Sequence, residues 1–273
     1  MLRSRVLTAL VMAAVLLTAI FALDPMPLTV GLALLVLVIG GWEGAGLAGL
    51  GGALARTVWI AFLLAFGAGL LLLIHQPGAA VFLFAIATGI WLGHCIALAW
   101  PDRGRPTGDE LQWRKLFDLS LILGAAFISL AWLHAGSPWL VLALILVIAG
   151  ADIGAYFTGH AIGGTKLAPR ISPGKTRSGA VGGMVVGALA GEATSQLPDV
   201  PYGPLTGLGA GGLLALLSIG GDLTLSLMKR HRGVKDTSNL LPGHGGILDR
   251  IDSLGAAAPA FALLVWFTRA VAA

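Results

Sequence analysis

Nine stretches of the chain, at 6–23, 28–42, 57–74, 79–100, 116–133, 139–157, 179–195, 205–228 and 254–272, are apolar enough to cross a bilayer as helices. About 20 residues suffice for one crossing, because a helix rises about 1.5 Å per residue against a hydrocarbon core of about 30 Å. Lipid offers no partner to a backbone N–H or C=O, so spans of this length satisfy those groups internally as helices. Composition agrees: 57% of the 273 residues are hydrophobic and 11% charged, with a mean hydropathy of +0.90, far from the balance of a water-soluble domain. The expected fold is an all-α integral membrane protein of about nine transmembrane helices in a single domain. Residues 1–135 supply the N-terminal helices, and 136–273 supply the remaining helices and the longer loops between them. The second stretch is short and flanked by glycine, so its ends are the least defined. Arg3 and Arg5 before an apolar run resemble a signal peptide, but the run is long and no small-x-small cleavage site follows, which favours a retained first helix.

The basic residues test the count, since cytoplasmic loops collect Lys and Arg. With the N-terminus cytoplasmic, nine crossings put Arg3, Arg5, Arg56, Arg103, Arg105, Arg114, Lys115, Lys166, Arg170, Lys175, Arg177, Lys229, Arg230, Arg232, Lys235 and Arg250 on one side. Of the 17 basic residues, Arg269 alone falls elsewhere. The reading is therefore N-terminus inside, C-terminus on the opposite side, with the loop 101–115 solvated and structural. The net charge of +4 does not indicate nucleic acid, because the basic residues are scattered between apolar runs instead of forming one patch. One cysteine, Cys95, excludes a disulfide framework and any multi-cysteine metal site, leaving it a small packing residue.

Two loops on the basic side carry chemistry. In the first, at the end of the eighth span, Asp222, Ser226 and Lys229 recur at helical spacing and point a carboxylate, a hydroxyl and an ammonium one way. A carboxylate in a membrane helix is costly and is kept for an ion, a proton path or a partner charge. Beyond a Gly245-Gly246 turn, Asp249 and Asp252 share a face if the last helix begins there. Such oxygen ligands suit Mg²⁺, which takes one or two carboxylates and completes its shell with phosphate and water. Lys229, Arg230, Lys235 and Arg250 can neutralise phosphate. The residues alone leave two readings open: a metal and nucleotide-phosphate site, or a basic loop lying on lipid headgroups.

The segment resembles the signature of the phosphatidate cytidylyltransferase family, S-x-x-K-R-x-x-x-x-K-D-x-x-x-x-[LIF]-[PG]-x-H-G-G-x-x-D-R-x-D. Its fixed positions are met by Ser226, Lys229, Arg230, Lys235, Asp236, Leu241, Pro242, His244, Gly245, Gly246, Asp249, Arg250 and Asp252.

In the second loop, Asp152 and Tyr156 share a helix face, followed by glycines, Lys166, Ser172, Lys175 and Thr176. Gly174-Lys175-Thr176 is not a P-loop, because Pro169 stands where that motif needs glycine. The stretch resembles the same family's D-x-x-A-Y-x-x-G-R-x-x-G-x-x-x-L-x-P-x-I-S-P-K-K-T-x-E-G-x-x-G-G. It departs at His160 for Arg, Gly174 for the first Lys and Ser178 for Glu, which affects substrate specificity more than reaction class. Trp42-Glu43 is similar to a pair common in the family's N-terminal half.

The resemblance implies joining CTP to phosphatidic acid, giving CDP-diacylglycerol and pyrophosphate, at the cytoplasmic face of the inner membrane. Asp222 and Asp249 would hold Mg²⁺, with Asp252 and Asp152 as helpers and room for a second cation. Lys229, Lys235, Arg250 and His244 would serve catalysis. Ser172, Lys175, Thr176, Lys166, Tyr156, Ser226, Arg230, Asp236, Gly245 and Gly246 would bind substrate. The resemblance also admits a homodimer. Competing readings are a related cytidylyltransferase or kinase acting on another lipid or polyprenol, an ion-coupled transporter with Asp152, Asp222 and Glu192 on its path, and a non-catalytic lipid binder. His94, Asp118 and Glu192 read as helix-end or interhelical groups, and His75 and His134 as interfacial residues on the opposite side.

Overall fold

The computed structural model describes residues 2–76, 78–101, 111–240 and 245–272. The helices are α1 (Leu2–Ala22), α2 (Pro25–Leu32), α3 (Gly41–Leu47), α4 (Ala53–Ile74), α5 (Ala79–Ala97), α6 (Trp113–Gly136), α7 (Pro138–Ile162), α8 (Arg177–Thr194), α9 (Pro204–His231) and α10 (Leu248–Ala272). Between α2 and α3 the chain winds as a π-helix over Ala33–Gly40, so Pro25–Leu47 forms one rod. Each apolar run of the sequence falls largely on a helix. Seven helices among the described residues, counting that rod as one, are long and apolar enough to cross a membrane. Glycine-rich α8, with Arg177 and Glu192 near its ends, is not one of them, and of α1 only Ala13–Ala22 counts as a shorter apolar helix. The protein is an all-α membrane protein.

Helix ends follow the local sequence. Ser137 caps α7 by accepting from the Trp139 amide at 3.2 Å, with Pro138 in the first turn where no N–H is needed. Pro204 opens α9 in the same way. The second loop corrects a purely helical expectation: β1 (Lys166–Ala168) and β2 (Ser172–Thr176) pair antiparallel, and Thr176 Oγ1 accepts from the Gly179 amide at 3.1 Å to cap α8. A second correction concerns Lys115, placed by sequence in a solvated loop. It lies inside α6 and is buried, one of the few buried charged residues among the described residues.

Helix α6 is the axis of the molecule, buried almost continuously from Leu119 to Ala131. Around it are two apolar clusters, one with Phe84, Leu133, Leu144 and Phe261, the other with Leu37, Leu63, Trp91, Leu123 and Met228. Leu64, Leu72, Phe82, Ile86, Val181, Val185 and Leu213 stay exposed, as an outer surface in lipid requires. His134, at the end of α6 away from the loops, donates from Nε2 to the Ile20 carbonyl at 2.8 Å. It is 4% exposed, a buried interhelical group where the sequence reading expected an interfacial one.

Packing after Gly136 is of another kind. On α8, Gly179, Gly183, Gly187 and Gly191 recur every four residues and face α7 and α9. A Cβ on Gly191 would collide with the Gly207 carbonyl oxygen, one on Gly187 would come within 3.1 Å of the Gly211 carbonyl, and one on Gly183 within 2.9 Å of the Ala151 carbonyl. Small residues at this spacing let helix backbones touch, the usual means of tight association where no hydrophobic force separates lipid from leucine.

Candidate active site

The three backbones that glycine draws together carry the acids. Asp152 is on α7, Asp222 on α9, and Asp249 and Asp252 are in the first turns of α10, which begins early enough to put both in helix. Gly221 lets α10 approach α9 beside them, since a Cβ there would meet the Asp252 carbonyl at 2.6 Å. Gly220 faces the sulfur of Cys95, which packs as a small residue.

Two adjoining cavities share Asp152 and Asp222 as a common wall. The larger, about 530 Å³, is also lined by Tyr156, Lys166, Lys175 and Thr176. The smaller, about 270 Å³, is lined by Lys229, Asp236, Asp249, Arg250 and Asp252. Both loops singled out in the sequence therefore meet at one site. Lys175 Nζ pairs with Asp222 Oδ2 at 2.5 Å across the gap between them, and Ser226 Oγ donates to Asp222 Oδ1 at 3.2 Å, one turn along α9. The lysine sits where a positive ligand of Asp222 belongs, and the pair is partly open to solvent.

Asp249 is held more tightly. Its Oδ1 pairs with Lys229 Nζ at 2.6 Å, both side chains being at most one-tenth exposed. Its Oδ2 accepts from the Thr237 amide at 2.9 Å, the Thr237 hydroxyl at 3.0 Å and the Gly246 amide at 3.0 Å. Asp249 therefore organises the turn that precedes its own helix through Oδ2, while Oδ1 is engaged by Lys229 alone. Asp252 Oδ1 accepts from the Ser253 amide at 2.7 Å.

Several expected binding residues are brought elsewhere. Arg230 Nε donates to the Ile171 carbonyl at 3.1 Å, tying α9 to the hairpin. Thr176 is buried by its capping role although it edges the larger cavity. Ser172 is half-buried within β2, and Lys235 is exposed; neither lines either cavity. His244 lies outside the described residues, as do Leu241 and Pro242. Tyr156 is exposed and stacks on His160, with ring planes 5° apart. Gly174, another departure from the family pattern, has nothing within 4 Å of where a Cβ would stand, so the hairpin accommodates the side chain found there in the pattern. Ser178 donates to the Gly163 carbonyl at 2.5 Å and so helps close the turn before the hairpin.

Glu43 is the residue that sequence reasoning undervalued. It is 5% exposed on α3, yet nearly 200 residues away in sequence its carboxylate organises the signature loop. Oε1 accepts from Ser238 Oγ at 2.6 Å and the Ile247 amide at 3.1 Å; Oε2 accepts from Thr237 Oγ1 at 2.9 Å and the Leu248 amide at 2.8 Å. The amides belong to the start of α10, where unpaired N–H groups and the helix dipole favour a carboxylate. Gly246 has to be glycine here, because a Cβ would run into Thr237 Oγ1 and the Glu43 carboxylate. A buried acid in a glycine-rich turn of a membrane helix was the available signal.

Among the described residues no three His, Cys, Asp or Glu side chains close into a ligand group. The donor set fits a hard cation that takes one or two carboxylates from the protein and its other oxygens from phosphate, and it does not fit a closed protein cage.

The sequence model described as the cytidylyltransferase family matches residues 3–268. A phosphatidate cytidylyltransferase of Pseudomonas aeruginosa is 38% identical over 272 residues, covering 97% of each chain. One from Haemophilus influenzae is 33% identical over 290 residues, covering 98% of this chain and 99% of the relative. One from Brucella suis is 45% identical over 141 residues, about half of each chain. With the match running nearly end to end and the two signature loops folded onto one pair of cavities, this chain belongs to the cytidylyltransferase family.

Proposed function

We propose that this protein is a phosphatidate cytidylyltransferase, making CDP-diacylglycerol and pyrophosphate from CTP and phosphatidic acid in phospholipid synthesis. The observation that carries this reading is the common wall of Asp152 and Asp222 between two cavities edged by Lys166, Lys175, Lys229 and Arg250. The near full-length relatives named phosphatidate cytidylyltransferase support it.

A phosphate oxygen of phosphatidic acid attacks the α-phosphorus of CTP in line, and pyrophosphate departs. Phosphatidate is already anionic at neutral pH, so no strong general base is required. The difficulty is repulsion between two phosphates, and the protein's part is to position and neutralise them. Lys166 and Lys175, beside the larger cavity, receive the triphosphate, with Lys175 leaving Asp222 to do so. Lys229 and Arg250 hold the phosphates in the smaller cavity, and Lys235 and Arg230 add positive charge at the rim. Asp222 and Asp249 through Oδ1 are the residues that would hold Mg²⁺, with Asp252 and Asp152 as helpers. Bound there, a divalent cation supplies charge neutralisation at the phosphate oxygens. Glu43 holds Thr237, Ser238 and the amides of Ile247 and Leu248 in place while these charges shift.

In this reading the chain crosses the inner membrane nine times, with α8 a crossing in its own right, since its glycine contacts run along both α7 and α9. The N-terminus and the site are cytoplasmic, and the headgroup is held at the boundary while the acyl chains stay in lipid.

The test is purified protein in detergent with Mg²⁺, labelled CTP and phosphatidic acid. Labelled CDP-lipid and pyrophosphate are expected in equal amounts. Absence of both across several lipid acceptors would refute the enzyme assignment. Equal activity in Asp249→Asn would refute its place in the metal site.

A further inference from the structure

The end of α7 gives the larger cavity two rings that the phosphate chemistry does not use. Tyr156 and His160 both line it, one helical turn apart, with ring planes 5° from parallel and centroids 6.2 Å apart. Both are exposed, so their faces are open to a ligand instead of being packed in the core. Phe157 meets Tyr156 edge-on, with centroids 5.4 Å and planes 80° apart, and braces its tilt.

An exposed tyrosine at the end of a membrane helix is commonly an anchor at headgroup level. These rings, however, edge the cavity that also holds Lys166, Lys175 and Asp222, and an anchor has no need of a second ring held parallel to the first. Tyr156 and His160 follow Asp152 by one and two turns, about 6 and 12 Å along the axis at the helical rise. A nucleotide with its α-phosphate at the wall of Asp152 and Asp222 has its base a ribose away, alongside these rings. The hairpin adds a further wall through Leu167 and Gly174. Gly174 presents no side chain, and nothing lies within 4 Å of where one would begin, so the hairpin leaves space for a flat group. His160 stands where the family pattern has arginine. Imidazole and guanidinium differ in charge and reach, but both are planar groups on which bases stack. The position keeps its flat face although the side chain has changed.

We propose that Tyr156 and His160 form a stacking platform for the base of the nucleoside triphosphate, an inference that rests on the nucleotidyl-transfer reading of the site. Every base has a π-face, so stacking supplies grip and orientation without choosing among bases.

The experiment is equilibrium dialysis of labelled CTP with Mg²⁺ against the purified full chain in detergent. Inorganic tripolyphosphate, which has the charge and no base, is the comparison ligand. Tyr156→Leu and His160→Leu are each expected to weaken CTP binding about tenfold and tripolyphosphate binding by less than about twofold. Tyr156→Phe and His160→Arg, which keep a planar group, are expected to stay within about threefold of wild type for CTP. Wild-type affinity for CTP in the Tyr156→Leu/His160→Leu double variant would overturn the platform. Equal loss of CTP and tripolyphosphate would overturn it too, by assigning the pair to the shape of the phosphate site. A change confined to the KM for phosphatidic acid would place the rings on the lipid's path instead. Turnover separates this inference from the activity. Wild-type protein that grips CTP through these rings yet forms no CDP-lipid refutes transfer and leaves the platform. Active protein indifferent to both leucine substitutions refutes the platform alone, and wild-type protein that binds no CTP refutes both.

Discussion

In the Pro25–Leu47 rod, α4 and α5, between 17% and 22% of the residues of the apolar stretch are buried; in α7, α9 and α10 the share is between 44% and 56%. The first group meets its neighbours through large side chains, such as Leu37, Trp59, Leu63 and Phe84. The second meets through glycine, backbone against backbone. The acids follow this division: Asp152, Asp222, Asp249 and Asp252 all stand on the closely packed helices, and the loosely packed half contributes Glu43. Precise spacing of charges needs a scaffold without play, whereas a latch reaching over from outside needs only one well-placed carboxylate.

The largest effect expected is at Asp222. Asp222→Asn should lower kcat by about 10³-fold, equivalent to about 4 kcal/mol of barrier, with little change in thermal unfolding. Activity in the wild-type protein should vanish with a chelator and return with Mg²⁺. If the loss in Asp222→Asn were accompanied by unfolding, the acid would belong to the scaffold and the division would blur.

Next comes the scaffold itself. Gly191→Ala places a methyl on the Gly207 carbonyl and should destabilise the protein by about 2–3 kcal/mol, the cost of overpacking, read as an earlier midpoint of unfolding in denaturing detergent. Its counterpart in the loose half is Gly69 of α4, where a Cβ meets nothing within 4 Å. Gly69→Ala should leave stability unchanged or raise it by up to about 1 kcal/mol, as alanine favours helix. Similar losses in the two variants would erase the contrast.

Glu43→Gln tests the latch. It keeps the shape but replaces an acceptor oxygen with a donor, facing the four donors that now surround it. A cost of about 1–3 kcal/mol is expected, appearing chiefly as a fall in turnover with CTP binding less affected, because the turn carrying Asp249 loosens. Unaltered kinetics would mean that the turn holds its shape without its partner from α3. The smallest effect expected is at Lys235, exposed and outside both cavities: Lys235→Gln should raise the KM for CTP by about threefold or less, measured by steady-state kinetics at fixed phosphatidic acid.

Much of this was legible in the sequence because lipid imposes simple rules. Apolar length located the helices, and the helical spacing of Asp222, Ser226 and Lys229 foresaw the Ser226–Asp222 contact. The two loops were recognised by their glycines and charges, and they do share one site. What escaped lies in contacts that spacing along the chain does not reveal. The hairpin of Lys166–Ala168 and Ser172–Thr176 is too short, and too rich in Pro and Gly, for alternation to show. Glu43 gains its meaning from amides more than 200 residues distant. The glycines of α8 read as a weak helix in water, where glycine costs about 1 kcal/mol relative to alanine, but as an adhesive surface in lipid.

The glycine seam also has a mechanical consequence. Bilayers differ in thickness, and membrane helices answer by tilting or by distorting the lipid around them. Rods that touch through side chains, as the Pro25–Leu47 rod and α4 do, have more room to tilt singly than rods whose backbones touch. Backbones in contact along α7, α8 and α9 can only tilt together, as a plate. A membrane that thins or thickens should therefore rotate the carboxylates of Asp152 and Asp222 as a pair without drawing them apart, so the reaction geometry travels unchanged between lipids of different length.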